Sequence, residues 1–277
     1  MATAGGPSDH HKYAIYPSLL GKIALVTGGA EGIGGSIVEI FALQGAQVII
    51  ADIAEDSALK LIEKIKGTAR GPIGPEPVVP VFYECDVTNL DTLKSTVDRA
   101  LAQFSRIDIL VNNAASSAGK ARVATKDVTP EAWEFNINVN LRHQFFLSQL
   151  IFPHMAAQKS GAIVNMGSIN WKVPGVGLPI YTTCKAAVVG LTRTHAREFG
   201  PHGIRVNSVM PGSIATERQI KEVLTDEYKA ETIAAQAIKR VIDPHEAARV
   251  VVFLCTDDAS AVTGSQYVVD GGWIGDP

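Results

Sequence analysis

Short apolar runs alternate with amphipathic stretches along nearly the whole chain, and that alternation limits the possible folds more than any other feature of the sequence. Ile23-Ala24-Leu25-Val26 reads as a buried strand, a glycine cluster follows, and Ile33, Ile37, Ile40 and Phe41 then recur at helical spacing. Gly45 stops that helix, and Gln47-Val48-Ile49-Ile50-Ala51 reads as a second strand ending at Asp52. The pattern continues with helices over 57–66, 89–104, 130–155, 180–199 and 244–255. Strands alternate with them at 79–83, 108–111, 162–166, 205–209 and 266–269. Strands that are apolar throughout, each followed by a helix, bury both faces of a parallel sheet. The expected architecture is one α/β domain, a doubly wound Rossmann-type sheet of about seven strands.

The remaining segments fit a single domain over residues 20–277. Residues 1–19 read as a flexible tail without the basic start and apolar core of a targeting peptide. Its His10 and His11 read as incidental, so no metal site is expected. The Gly/Pro-rich stretch 67–77 interrupts the alternation as an extended loop, and no internal repeat is visible. Lys+Arg 25 against Asp+Glu 28 gives a net charge of −3, which supplies no basic face for nucleic acid. Apolar runs such as Val250-Val251-Val252-Phe253-Leu254-Cys255 fall far short of the ~20 residues that cross a bilayer, so no membrane partner is expected. Cys85, Cys184 and Cys255 are scattered and odd in number, which points to a reducing, cytoplasmic setting.

The first chemical signal is Thr27-Gly28-Gly29-Ala30-Glu31-Gly32-Ile33-Gly34, where the first strand turns into the first helix. Glycines there let backbone approach a pyrophosphate, and the helix N-terminus faces its negative charge. About 20 residues on, Asp52 ends the second strand, where a carboxylate can accept both hydroxyls of an adenosine ribose. Its charge repels a 2′-phosphate and no Arg or Lys follows at Ile53 or Ala54, so the expected cofactor is NAD rather than NADP. Glu31 adds to that repulsion. Asp52 could alternatively cap the next helix, although Ser57 or Asp56 can supply that cap.

The second signal surrounds Tyr181. Lys185 lies four residues on, one turn along the same helical face, where an ammonium can act on a phenol. A phenol that works near neutral pH needs its pKa of ~10 lowered by ~2 to 3 units. The preceding strand delivers Gly167-Ser168 to the crest of the sheet, where ligands of such folds bind, and Ser168 can hold the oxygen on which Tyr181 acts.

Together these residues resemble the short-chain dehydrogenase/reductase family over essentially all of Leu20 to Gly272. The family's glycine motif matches Thr27 to Gly34, its acidic adenine-side residue Asp86-Val87, and its Asn-Asn-Ala-Gly strand end Asn112-Asn113-Ala114-Ala115, with Ala115 in place of the usual Gly. Its catalytic Asn, Ser, Tyr and Lys match Asn140, Ser168, Tyr181 and Lys185. Its nicotinamide-side turn matches Pro211-Gly212, Ile214 and Thr216. The resemblance implies hydride transfer between a carbinol carbon and NAD, with Tyr181 exchanging the hydroxyl proton. Ser168 would position the substrate oxygen, Lys185 would lower the phenol pKa and bind the cofactor ribose, and Asn140 would hold a relay water. It also implies a homotetramer.

Asn170 and Trp171 lie between Ser168 and Tyr181, and an amide beside an aromatic face suits a polyhydroxylated ligand. His143 is expected at a subunit interface, and residues 217–235, with Arg218 and Gln219, form a flap over the substrate. Within the family the chain is most similar to the sugar 1-dehydrogenases of the D-xylose type, which implies oxidation of an aldose at C1 to its lactone. An alternative is a secondary-alcohol dehydrogenase or a ketone or 3-oxoacyl reductase. A silent nucleotide sensor is disfavoured, because such a protein should have lost one of the four catalytic matches.

Overall fold

The computed structural model describes residues 13–68, 77–222 and 225–274. Its seven strands are β1 (Ile23–Thr27), β2 (Gln47–Asp52), β3 (Val81–Glu84), β4 (Ile109–Asn112), β5 (Gly161–Met166), β6 (Ile204–Pro211) and β7 (Gln266–Val269). They form one sheet in the order β3-β2-β1-β4-β5-β6-β7, with every pairing parallel. All five residues of β1 are buried because helices cover both of its faces. Alternate side chains go to opposite layers. Ala24 and Val26 meet Ile37, Val38 and Phe41 of α1 (Gly32–Leu43), Ile62 and Ile65 of α2 (Glu55–Lys66), and Val251 and Val252 of α9 (Pro244–Leu254). Ile23 and Leu25 face the other layer, with Leu93 and Val97 of α3 (Leu90–Phe104), Leu147 and Ile151 of α5 (His143–Gln158) and Phe199 of α6 (Pro179–Phe199).

Strand order reverses between β1 and β4. Connections from these neighbours leave toward opposite faces, which opens a crevice at their C-terminal ends. The site residues gather around that crest.

Three stretches differ from the sequence-based expectation. The helix expected over 130–155 is α4 (Pro130–Ile137), a π-helical turn over Asn138–Arg142, and then α5. Residues 217–235, expected only as a flap, hold two helices, α7 (Glu217–Glu222) and α8 (Asp226–Ala235). The signal for α8 was in the sequence, since Thr225 accepts from the Tyr228 N–H as an N-cap and Asp226 and Glu227 fill the first turn. Of the expected tail, residues 1–12 lie outside the described residues. Leu19 is fully buried, and the Tyr16 N–H donates to Gln44 Oε1 at 2.8 Å. The Gly/Pro-rich loop also lies mostly outside the described residues.

An ionic cluster around the buried Glu39 carboxylate ties the first helical layer together. Glu39 of α1 accepts from Lys64 Nζ of α2 at 2.8 Å and pairs with His245 Nε2 of α9 at 3.2 Å, while His245 Nδ1 faces Asp243 Oδ1 at 3.0 Å. Burial raises the Glu39 carboxyl, but hydrogen bonds and charge from His245 and Lys64 outweigh it and hold the group at about 2. The hydrogen bond from Glu39 also raises His245, against its burial. The Glu39 contribution is therefore present above the ordinary carboxylate range and is lost as pH falls toward about 2. The His245 contribution is present below the ordinary imidazole range and is lost as pH rises through the raised value. Glu39→Gln should cost about 1.5–3 kcal/mol in mildly acidic solution, where both partners are charged, and less once pH has risen through the raised His245 value. Urea unfolding of both proteins across pH measures this; a difference independent of pH would refute the assignment.

Candidate active site

The glycine loop leaves β1 at Thr27. Gly28 and Gly32 take φ of +61° and +57°, which glycine adopts without strain. Gly34 is constrained by space instead: a Cβ there would stand 1.9 Å from the Gly28 carbonyl oxygen and 2.5 Å from Asn113 Nδ2. Glu31 is the N-cap residue of α1 with extended backbone, but its side chain makes no capping hydrogen bond and instead accepts a hydrogen bond from the Ser57 hydroxyl of α2. The first turn of α1, with Ile33 and Gly34, thus turns its N–H groups to the crevice rather than to its own cap.

Asn113 braces this loop. Its Nδ2 donates to the Thr27 and Gly28 carbonyls at 3.0 and 2.8 Å, and the Asn113 and Ala114 N–H groups donate to Thr27 Oγ1 at 3.0 and 3.1 Å. The ends of β1 and β4 are laced together where the strand order reverses. Asp52 lies beside them, its Oδ2 accepting from the Ala30 N–H at 2.9 Å and its Oδ1 from the Ala54 N–H at 3.0 Å. It therefore pins the glycine loop to β2. Neither Ser57 nor Asp56, which could have supplied the cap in place of Asp52, caps α2: Ala54 is its N-cap residue, without a side-chain cap. Asp86 is exposed and accepts from the Thr88 N–H and hydroxyl at 2.9 and 2.8 Å, while Val87 is buried in the core beneath.

The opposite arm follows β6. The Gly212 N–H donates to the Val269 carbonyl at 2.9 Å, and a Cβ on Gly212 would stand 2.7 Å from Asp270 Cβ. Ile214 is buried and bridges Ile242. Thr216 reaches the glycine loop itself, its methyl 3.1 Å from the place a Gly32 Cβ would take. The Pro211–Thr216 arm and the glycine loop thus meet. Backbone N–H groups at a helix start, glycines whose Cβ positions are already filled, and a carboxylate at the end of β2 together fit a dinucleotide cofactor.

Tyr181 and Lys185 lie on the first turns of α6, which Pro179 opens with its ring at N1. Lys185 is 1% exposed; its Nζ donates to the Met166 carbonyl at 2.8 Å and lies 5.5 Å from the Tyr181 ring centroid. Burial lowers this ammonium to about 8. Burial also raises the Tyr181 phenol, and the opposing pulls come from a hydrogen bond with Ser168 and from the charge of Arg218. Lys185 Nζ is turned to the Met166 carbonyl at the end of β5 while staying beside the phenol ring.

Ser168 follows Gly167, which has no room for a side chain because Met210 Sδ would stand 2.0 Å from its Cβ. The serine backbone is extended, and Ser168 Oγ accepts from the Asn170 N–H at 3.2 Å, capping a short 3-10 turn over Ile169–Trp171. Trp171 is half-buried, with Lys172 Nζ 5.7 Å from its ring.

Asn140 sits in the π turn, fully buried. Its amide pairs with both backbone polar groups of one residue, Oδ1 accepting from the Ser116 N–H at 2.9 Å and Nδ2 donating to the Ser116 carbonyl at 3.0 Å. The side chain is a clip between the helix and the 112–116 segment. Gln144 Nε2 lies 3.4 Å from both the Asn140 and the Met166 carbonyls, the latter being the acceptor of Lys185. Gln144 was not singled out from the sequence, although it stands one helical turn after Asn140. His143 corrects another expectation. It is fully buried within the chain rather than set at an interface, and burial, with the Lys185 charge, holds it at about 3 and therefore neutral.

The family model described as enoyl-(acyl carrier protein) reductase matches residues 28–274. A D-xylose 1-dehydrogenase from Caulobacter vibrioides is 42% identical over 260 residues, covering 94% of this chain and 98% of that protein. A probable galactose dehydrogenase from Rhizobium meliloti is 39% identical over 257 residues, covering 93% and 96%. Among solved structures, a 7α-hydroxysteroid dehydrogenase complexed with NADH and 7-oxo glycochenodeoxycholic acid superposes with a TM-score of 0.83 at 32% identity, covering 93% of this chain and 96% of that one. With the switch-point crevice and the Asn140, Ser168, Tyr181 and Lys185 constellation in place, the chain belongs to the short-chain dehydrogenase/reductase family of nicotinamide-dependent oxidoreductases.

Proposed function

We propose that the protein is an NAD-dependent dehydrogenase that oxidises an aldose at C1 to its lactone. The observation that carries the chemistry is the convergence of Ser168 and Tyr181 at the crest of the sheet, with Lys185 buried behind them. The aldose rests on likeness to proteins described as D-xylose and galactose dehydrogenases. NAD over NADP is supported by the carboxylates of Asp52 and Glu31 beside α1, which disfavour a 2′-phosphate.

When bound, a nicotinamide cofactor would supply the hydride acceptor. Glycines 28, 32 and 34, Ile33 and Asp52 would hold the adenosine and pyrophosphate side, with Asp86, Val87 and the Asn113-Ala114 strand end beside it. Pro211, Gly212, Ile214 and Thr216 would hold the nicotinamide side. Oxidation removes a hydride from C1 and a proton from its hydroxyl. Ser168 fixes the hydroxyl oxygen, and Tyr181 takes the proton. Lys185 keeps a cation next to the phenol, and Asn140 would hold the water that relays the proton outward. Asn170 and Trp171 frame the substrate side.

A secondary-alcohol or 3-oxoacyl substrate is the second reading, favoured by the reductase description of the matching family model and by the hydroxysteroid relative. Nicotinamide absorbance with a panel of aldoses, secondary alcohols and ketones, each with NAD(H) and NADP(H), separates the two. Turnover of one pentose or hexose with NAD is the expected result; activity confined to alcohols or ketones would discard the aldose, and a preference for NADP the argument from Asp52. A homotetramer belongs to the same reading, supported by exposed Trp133 on α4 and Phe145 on α5 and by β7 at the edge of the sheet. So does a cytoplasmic setting, supported by three free, buried cysteines.

A further inference from the structure

The hydroxyl of Ser168 has one proton and several claimants. It donates to Asn170 Oδ1 at 3.0 Å and accepts from the Asn170 N–H at 3.2 Å, and its hydrogen bond to Tyr181 pulls that phenol down against the upward push of burial. A hydroxyl donates once and accepts twice. With its proton on Asn170, Ser168 can only accept from Tyr181 or from a substrate hydroxyl. To donate to a phenolate or to a substrate oxygen it must release Asn170. The asparagine amide is itself held in place. A Cβ on Gly175 would stand 3.1 Å from Asn170 Nδ2 and 3.1 Å from Leu178 Cδ1, so the bare glycine is what leaves room for this rotamer.

We propose that Asn170 is a positioning residue that aims the Ser168 hydroxyl, its Oδ1 competing with the Tyr181 oxygen for the single proton that Ser168 can donate. The proposal rests on the reading of Ser168 and Tyr181 as the reacting pair and assigns Asn170 a role through Ser168 rather than through the substrate. In alcohol oxidation Tyr181 receives the substrate proton and so must enter as the phenolate. A Ser168 that donates to the phenolate makes that form easier to reach, and a Ser168 committed to Asn170 makes it harder. Ser168 keeps its proton throughout; only the acceptor changes. The other groups acting on the phenol are Lys185 and the Cys184 thiol on α6 and Arg218 on α7, and none of them is changed by substitution at 170.

The test is the titration of Tyr181 itself, followed by NMR of protein labelled with carbon-13 tyrosine, the resonance being identified by its absence in Tyr181→Phe. Asn170→Leu removes the competing acceptor at nearly constant volume and should lower the phenol pKa by about half to one unit. Asn170→Asp strengthens the acceptor, adds a negative charge and should raise it. In a Ser168→Ala background the effect of Asn170→Leu should vanish. Gly175→Ala, which crowds the amide without touching it chemically, should shift the phenol in the same direction as Asn170→Leu. In the turnover assay the acid limb of kcat/KM for oxidation should move with the phenol.

Shifts of one sign for Leu and Asp, no shift, or a Leu effect that persists without Ser168 would overturn the proposal. So would a raised KM with an unmoved phenol, the signature of a direct substrate contact. Absence of turnover on every alcohol and sugar would instead defeat the functional reading, while the titration would still report on Asn170.

Discussion

Replacing Tyr181 with Phe is expected to reduce turnover by about 10²–10⁴-fold while nucleotide binding is retained. The ring lies on the first turn of α6 beside Ser168, and phenylalanine keeps its packing while removing the one group there that can exchange a proton with a substrate hydroxyl. Lys185 is no substitute. Its Nζ is committed to the Met166 carbonyl, and its position 5.5 Å from the ring centroid leaves it behind the phenol rather than at the substrate. Nucleotide binding should survive because the glycine loop, Asp52 and the Pro211–Thr216 arm are held by contacts that do not involve Tyr181. Steady-state turnover and a titration of NADH fluorescence on the same preparation measure both halves. A variant that turns over at the wild-type rate would end the assignment of Tyr181 as proton carrier. Loss of binding together with turnover would show a structural role instead.

The second large effect is expected from Gly34→Ala. The added methyl would meet the Gly28 carbonyl oxygen at 1.9 Å and Asn113 Nδ2 at 2.5 Å, and neither is the free end of a flexible side chain. One is backbone, and the other donates to the Thr27 and Gly28 carbonyls. To relieve the clash the loop must leave α1 or Asn113 must abandon its brace. Overpacking of this kind costs about 1–3 kcal/mol of stability. Because the displaced groups form the cradle itself, nucleotide affinity should fall by a further ~10-fold or more. Gly35→Ala is the internal control. Its Cβ would come no nearer than 3.4 Å to the Ala30 carbonyl oxygen, an ordinary contact, and alanine is favoured over glycine inside a helix by ~1 kcal/mol. Thermal unfolding and NADH titration of both variants should show one impaired and the other at least as stable as the parent. Equal behaviour would mean that the loop is not fixed as described.

Much of the framework was legible because its signals are local. A strand buried on both faces is apolar throughout, so β1, β2 and β5 stand out without knowledge of their neighbours. Glycines at a strand-to-helix turn, and a tyrosine and a lysine one helical turn apart, are likewise short-range patterns. The π turn at Asn138–Arg142 was not legible, since no residue in Asn138-Val139-Asn140-Leu141-Arg142 forbids an ordinary helix. The clip that accompanies it reaches 24 residues back, from Asn140 to Ser116. The misplacement of His143 has a similar cause. A histidine on an amphipathic helix is assigned a face by its neighbours in sequence, whereas here tertiary packing closes over it completely. Glu31 was read as a charge in the glycine loop and Ser57 as a cap for the next helix, and the bond between them exists only because α1 and α2 lie side by side.

The sequence by itself determined the kind of sheet and singled out the side chains proposed to react, because periodicity, turn chemistry and residue spacing are carried within a few residues of chain. Only the tertiary structure decided how those groups share their hydrogen bonds. It set Thr216 against Gly32, tied Glu39 to His245, turned Lys185 to the end of β5 and placed Ser168 between Asn170 and Tyr181. Each of these depends on the distance and direction between atoms on different elements. A buried donor with a single proton serves whichever acceptor packing brings closest, and that choice appears only when the elements have been brought together.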